Sequence, residues 1–349
     1  MPQSAPGQSL NQKVRRFAAS QGAELIGFAP PERYPQYVRE LAGRVAGRRI
    51  RVEDYLLPSK DGVAFHDLYA DPRNTLPSVR AVVILGVSAF DEAVDYNEAA
   101  AELRGKIART YAYFPVVRAV AEALAAFLRQ ELGYEAVQCQ NLPLKLAAAR
   151  RGMGCYGENG LLLTREHGSF VALRAVLTSA PLLSDRLNWV DFCLHCGNCR
   201  RACPTGALYE PYKVDPSLCL NAVGRKSDPL TEPLSRSMGG WFRGCDICQE
   251  VCPLNRKLSP RSADPRAGYD SAHHSSHRFL DGCERLPRLL PLLAPSQPAL
   301  IRRNAAIALG NIGRGRESVG RALRRYAEEE RGELRQYFLW ALENVERRL

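Results

Sequence analysis

Four cysteines within eleven residues, Cys193-x2-Cys196-x2-Cys199-x3-Cys203, closed by Pro204, leave that stretch no room for a hydrophobic core of its own. A second run, Cys245-x2-Cys248-x3-Cys252-Pro253, adds three thiols, and Cys219 stands between the runs, so the total is eight. Thiols so close together become either disulfides or metal ligands, and the redox compartment decides which. Arg15-Arg16-Phe17 resembles a twin-arginine export signal, but Ala18-Ala19-Ser20-Gln21-Gly22-Ala23-Glu24 follows where an uncharged apolar region belongs. An amphipathic helix from Leu10 to Ser20, with Val14, Phe17 and Ala18 facing inward, accounts for the segment better. The expectation is therefore a cytoplasmic chain whose cysteines are ligands. One zinc ion would use two separated Cys-x2-Cys pairs, and explains neither the Cys-Pro endings nor the third and fourth cysteines of the first run. Eight thiolates are what two 4Fe-4S cubanes require, and the core of this region is expected to be inorganic. Cys139, Cys155 and Cys283 lie outside the pattern and read as small buried hydrophobes.

The first run has the spacing of a bacterial ferredoxin, in which three thiolates hold one cubane and the fourth crosses to the other. That crossover implies Cys193, Cys196, Cys199 and Cys252 for one cluster, and Cys203, Cys219, Cys245 and Cys248 for the other. Such clusters pass single electrons but do no substrate chemistry unaided. About 180 of the 349 residues precede the cysteine module, far more than a carrier needs, so a catalytic domain fed by the clusters is expected. Hydrophobic residues at 46% and charged residues at 24% are ordinary globular composition. No apolar run approaches the ~18 residues of a membrane span; the strongest, Val82 to Val87, has the length of a buried strand. The net charge of +11 favours an anionic partner, with nucleic acid the leading choice.

Periodicity predicts helices at Leu10 to Ser20, Val116 to Glu131 and Leu144 to Arg151. It predicts strands at Glu24 to Ala29, Ala81 to Val87, Gly160 to Leu163 and Ser169 to Leu177, the last two around a turn at Glu166 to Gly168. Ser259 to His277 lacks periodicity and reads as a surface connection; His273, His274 and His277 within it read as solvated. Beyond it lie helices near 300–313, 317–328 and 333–347. The Asn304-Ala-x-x-Ala-Leu-Gly310 pattern of the first is that of a HEAT-type repeat, loosely echoed at Trp340 to Val345. One and a half repeats cannot stand alone, so this tail must pack on the body. The expected class is α+β: an N-terminal α/β domain at 1–182, a ferredoxin-like double-cluster domain at 183–258, a linker at 259–283 and a HEAT-like tail at 284–349.

Beyond the cysteines, the chain carries Asp71-Pro72-Arg73 with Leu76-Pro77, Gly152-Met-Gly154-Cys-Tyr156-Gly157-Glu158-Asn159, Gly168-Ser169-Phe170 with Leu177-Thr178, and Gly244-Cys245-Asp246-x-Cys248-Gln249-x2-Cys252-Pro253-x-Asn255. In this combination it resembles, nearly end to end, the epoxyqueuosine reductases, cobalamin-dependent iron-sulfur enzymes of queuosine tRNA modification that are related to reductive dehalogenases. The resemblance implies a corrinoid with no protein histidine below cobalt, cradled by Gly152, Gly154, Tyr156, Gly157, Asn159, Gly168, Ser169 and Thr178. It implies removal of an epoxide oxygen as water to leave an alkene, with an external donor of flavodoxin or ferredoxin type, in a soluble monomer that meets tRNA. Glycines there would let the main chain approach a bulky macrocycle, and the polar side chains would bond its amides.

Two departures stand out. The resemblance implies a proton-donating aspartate upstream of the glycine turn, yet Val137 to Leu146 contains no acid, and the Gly-Lys-Asn usual in the turn is Gly157-Glu158-Asn159 here. Deoxygenation needs a proton at the leaving oxygen, so Tyr156, Glu158 or water must supply it. The alternatives are a paralogue reducing a small organic molecule, or a pure electron-transfer protein. Gly152-x-Gly154-x2-Gly157 is not a dinucleotide fingerprint, because a helix precedes it and a strand follows. Arg302, Arg303, Arg314 and Arg316, near helix ends of the tail, are the candidates for tRNA phosphates.

Overall fold

The computed structural model describes residues 6–46, 71–90, 100–139, 142–258 and 288–347. The linker histidines and Cys283 lie outside them. The N-terminal part is a four-stranded sheet in the order β1-β2-β7-β4, antiparallel at every pairing. Its elements are α1 (Pro6–Ser20), β1 (Leu25–Ala29), α2 (Pro35–Ala46), β2 (Ala81–Ser88), β3 (Lys106–Ile107), α3 (Arg109–Gln130), β4 (Ala136–Cys139), α4 (Leu144–Arg150), β5 (Cys155–Tyr156), β6 (Leu162–Leu163) and β7 (Val171–Thr178). β2 is buried at all eight positions because both faces of the sheet are covered, which is why it reads as a continuous apolar run. Val83 and Leu85 point into a core with Val14 of α1 and Val117, Leu124 and Leu128 of α3. Val82 and Ile84 point the other way, against Ala147 to Ala149 of α4, Tyr34 and Leu162.

α3 begins seven residues earlier than periodicity indicates and runs through Pro115. Ala108 offers no side-chain cap; instead Asp246, from the distant second cysteine run, accepts the Arg109 N–H at 2.7 Å. A carboxylate at the positive end of the helix offsets the missing local cap. By length and composition α3 is also apolar enough to cross a membrane, against the expectation from the sequence. Its apolar positions Tyr113, Val117, Ala121, Leu124 and Leu128 are buried against the sheet.

The cysteine region holds only short elements: α5 (Asn198–Arg201), α6 (Leu220–Val223), α7 (Glu232–Ser237), β8 (Trp241–Arg243), which pairs with β3, and α8 (Ile247–Glu250). Three helices follow, α9 (Ala299–Ile312), α10 (Glu317–Glu329) and α11 (Glu333–Glu346). α9 is buried from Ile301 through Gly310, and its apolar side chains share one core with Val223, Met238, Trp241 and Phe242 of the cysteine region. Asn304, fully buried, donates to the carbonyls of Gly224 and Phe242, and Asn311 to those of Ser235 and Gly239. The tail thus supplies the core and the donors that the cysteine region lacks.

Candidate active site and cluster cradle

The two cysteine runs wrap around each other. Cys193, Cys196, Cys199 and Cys252 line one cavity together with Gly157, Glu158 and Asn159 of the glycine turn. Cys203, Cys219, Cys245 and Cys248 act electrostatically on one another in a more deeply buried group. Burial raises the Cys199 thiol to about 11 and pushes Cys245 and Cys248 up further. Loading metal onto these thiols must therefore release protons. Eight thiols in two groups, each drawing on both runs, match in number and kind what a pair of cubanes needs, so the residues present fit those clusters. Among the described residues no three His, Cys, Asp or Glu side chains are grouped to hold a single metal ion.

A buried polar clamp, which sequence reasoning did not find, holds the second run against the N-terminal sheet. Asn255 accepts from the Ser169 N–H at 3.0 Å and donates to the Ser169 hydroxyl and the Gln249 carbonyl, both at 2.8 Å. The Ser169 hydroxyl donates to Gln249 Oε1, and Gln249 Nε2 donates to Asp246 Oδ1. Asp246, with no exposed surface, closes the chain on Arg109, whose guanidinium also meets Glu250 at 3.2 Å and stacks over Phe90 and Phe170. Gly168 makes the approach possible: its φ is +53°, and a Cβ there would lie 2.0 Å from Asn255 Oδ1. The signal in the sequence was Asp246-x2-Gln249-x5-Asn255, three polar residues set among cysteines.

This arrangement places the residues expected to cradle a corrinoid in different surroundings. Ser169 is committed to the clamp. Thr178 sits at the opposite end of β7, roughly 25 Å along the strand, where its hydroxyl donates to the Glu135 carbonyl and accepts from the Ala180 N–H. One macrocycle does not reach both. Gly152, Gly154 and Gly157 are hemmed in by the chain itself: a Cβ on them would meet Asn188, the Leu163 carbonyl and Asn159 at 2.8, 2.5 and 2.8 Å. On the Cβ side their space is filled by protein, while Gly157 also lines the thiol cavity. Tyr156 is half-buried on β5 opposite Leu162, and Asn159 Oδ1 accepts from the Leu161 N–H.

Glu158 is the group with capacity to spare. It is buried, its Oε2 has no partner among the described residues, and its Oε1 lies 3.5 Å from Nδ1 of His195. His195 also touches Asp191 at 3.1 Å and the Tyr212 hydroxyl at 3.4 Å, and both His195 and Tyr212 have positive φ. A buried acceptor oxygen beside a thiolate-lined cavity fits the amide N–H of a corrinoid side chain, so the turn fits such a group through Glu158 and its neighbours. Cys139 and Cys155 are buried as expected.

The tail arginines divide in two. Arg302 and Arg303 are 6% and 4% exposed, so the expectation that they face phosphate is overturned. Arg302 donates to the Leu293 carbonyl and pairs with Glu330; Arg303 donates to the carbonyls of Asp228 and Val223. They hold the tail in place. Arg314 and Arg316 are exposed.

A profile of the 4Fe-4S double cluster binding domain matches residues 192–255. An epoxyqueuosine reductase from Synechocystis sp. is 32% identical over 200 residues, 54% of this chain and 66% of that protein, so the chain spans just under two thirds of this relative's length. An epoxyqueuosine reductase from Lactococcus garvieae is 25% identical over 371 residues, 97% of each chain. In fold, the chain matches the crystal structure of an epoxyqueuosine reductase with an epoxyqueuosine-modified tRNA-Tyr stem loop, with a TM-score of 0.68 at 21% identity over 97% of this chain and 99% of that one. In sequence and in fold, then, this chain is similar to the epoxyqueuosine reductases, and its cysteine region matches a double 4Fe-4S cluster binding domain.

Proposed function

We propose that the chain is an oxidoreductase of the epoxyqueuosine reductase type. It removes the epoxide oxygen of epoxyqueuosine in tRNA to give queuosine, taking up two electrons and two protons and releasing water. The observation that carries this reading is the cavity in which four thiols from both runs meet Gly157, Glu158 and Asn159. We assign Cys193, Cys196, Cys199 and Cys252 to the cluster beside the turn, and Cys203, Cys219, Cys245 and Cys248 to the inner one. A bound corrinoid would supply the low-valent cobalt that acts on the epoxide. Glu158, Asn159 and Tyr156 would hold its edge. The clamp on Ser169 keeps the cluster cavity in register with the turn, and Tyr156, Glu158 or water passes a proton to the leaving oxygen. The three C-terminal helices read as a HEAT-like unit, with Arg314 and Arg316 toward tRNA. The division at 182, 258 and 283, a monomeric state and a cytoplasmic location belong to the same reading.

A second reading, a paralogue that reduces another substrate, draws support from one observation: Val137 to Leu146 carries no acid. Anaerobic reconstitution with iron, sulfide and cobalamin separates the outcomes. About eight irons and a base-off cobalt EPR signal, followed by turnover of epoxyqueuosine-containing tRNA, support the first reading. Eight irons and cobalt without turnover favour the second, and eight irons without cobalt leave an electron carrier.

A further inference from the structure

On the cysteine module an open cleft is lined by Asn198, Arg201, Ala202, Val251 and Arg256; Asn198 also lines the cavity beside the glycine turn, but no other residue is shared. Its walls are built on α5 and α8, one-turn helices that pack together; α5 follows Cys196 and α8 contains Cys248. Asn198 precedes Cys199, Ala202 precedes Cys203 and Val251 precedes Cys252. The floor of the cleft is thus one residue from thiols of both quartets. Its charge has one sign. Arg201 and Arg256 are exposed, Lys257 follows, and the half-buried Arg200 sits alongside. No carboxylate lines the cleft, and among the described residues no carboxylate pairs with Arg201 or Arg256. Arg201 donates instead to the Cys196 carbonyl and Asn198 Oδ1.

We propose that this cleft is the docking surface for an acidic one-electron carrier protein. The inference rests on the reductase reading, in which electrons arrive singly from outside. A nucleic-acid substrate fits the cleft less well: no residue of the glycine turn reaches it, and it holds no aromatic side chain on which a base could stack. Brief electron-transfer encounters bury little surface and depend on charge steering for their rate. A basic cleft abutting both quartets meets those needs.

The test uses the reconstituted holoenzyme and two reductants. Reduced flavodoxin, an acidic carrier, and neutral photoreduced deazaflavin are each mixed anaerobically with wild type, Arg256→Glu, Arg201→Glu/Arg256→Glu and Arg201→Lys/Arg256→Lys, and cluster bleaching is followed. The expected result is a ~10–100-fold lower second-order rate with flavodoxin for the double Glu variant at low salt. Arg256→Glu should fall partway, the Lys pair should stay near wild type, and deazaflavin rates and iron content should be unchanged. Arg256→Glu keeps the test sound if Arg201→Glu disturbs the Cys196 loop. Flavodoxin rates equal in wild type and Arg256→Glu would overturn the proposal, as would a variant that loses stem-loop binding while its flavodoxin rate stays intact. Wild-type clusters that fail to form, or that deazaflavin cannot reduce, would refute the reductase reading itself.

Discussion

Replacing Asn255 by alanine tests whether the clamp holds the second cysteine run on the sheet. The side chain makes three hydrogen bonds, and Asn255, Ser169 and Gln249 are all nearly inaccessible. The Ser169 hydroxyl keeps its bond to Gln249, and the Gln249 carbonyl keeps the Cys252 N–H at 3.1 Å, but the Ser169 N–H is left buried and unpaired. At ~1–3 kcal/mol for such a group, the docked state should lose about 1–3 kcal/mol, or ~5-fold to ~150-fold in its opening equilibrium. Gly168→Ala attacks the same contact from the other side, since the new Cβ would lie 2.0 Å from Asn255 Oδ1. In the double variant that clash is gone, so the two losses should fall short of additive by more than ~1 kcal/mol. Native-state hydrogen exchange under anaerobic conditions, followed in peptides covering 164–178 and 246–257, reads the opening directly. Unchanged protection in those peptides, or strict additivity in the double variant, would refute the assignment of the clamp.

Further outcomes follow from single residues. Burial, assisted by the Glu32 carboxylate, raises the Tyr34 hydroxyl to about 12. A phenol whose folded pKa lies above its ordinary value near 10 contributes stability below pH 10 and loses it as pH rises toward 12. Tyr34→Phe should therefore leave denaturation midpoints at pH 8 unchanged or slightly higher and flatten their decline between pH 9 and 11, by about 1.4 kcal/mol at pH 11; parallel curves would refute this. Cys219→Ser should retain about four irons of eight, with the surviving cluster signal that of the quartet facing the glycine turn. Iron analysis and EPR would detect the alternatives, full loading or complete loss.

Much of the scaffold could be read from the sequence because its determinants are local. The apolar run of β2, the alanines of α4 and the amphipathic periodicity of α10 and α11 each fix an element before any partner is known. The expected partition of cysteines rests on the ferredoxin-type spacing of the first run, and Cys193, Cys196, Cys199 and Cys252 do line one cavity. What could not be read depends on contacts distant in sequence. The start of α3 hangs on Asp246, 137 residues away. Ser169 looked free for a ligand until Asn255 was placed on it, and Arg302 and Arg303 looked like surface charge until the carbonyls of Leu293, Asp228 and Val223 closed on them. A polar residue on a helix has the same appearance in sequence whether it meets water or a buried carbonyl.

The docking of α9 on the cysteine module also sets an order of events in biosynthesis. Asn304, which ties the tail to the backbone at Gly224 and Phe242, is translated about 50 residues after Cys252. At ~5–20 residues per second that is an interval of ~3–10 s. Through it all eight thiols exist while the inner quartet still lacks its helical cover. Iron and sulfide would have their widest access then, before α9 packs its core over the region that holds Cys245.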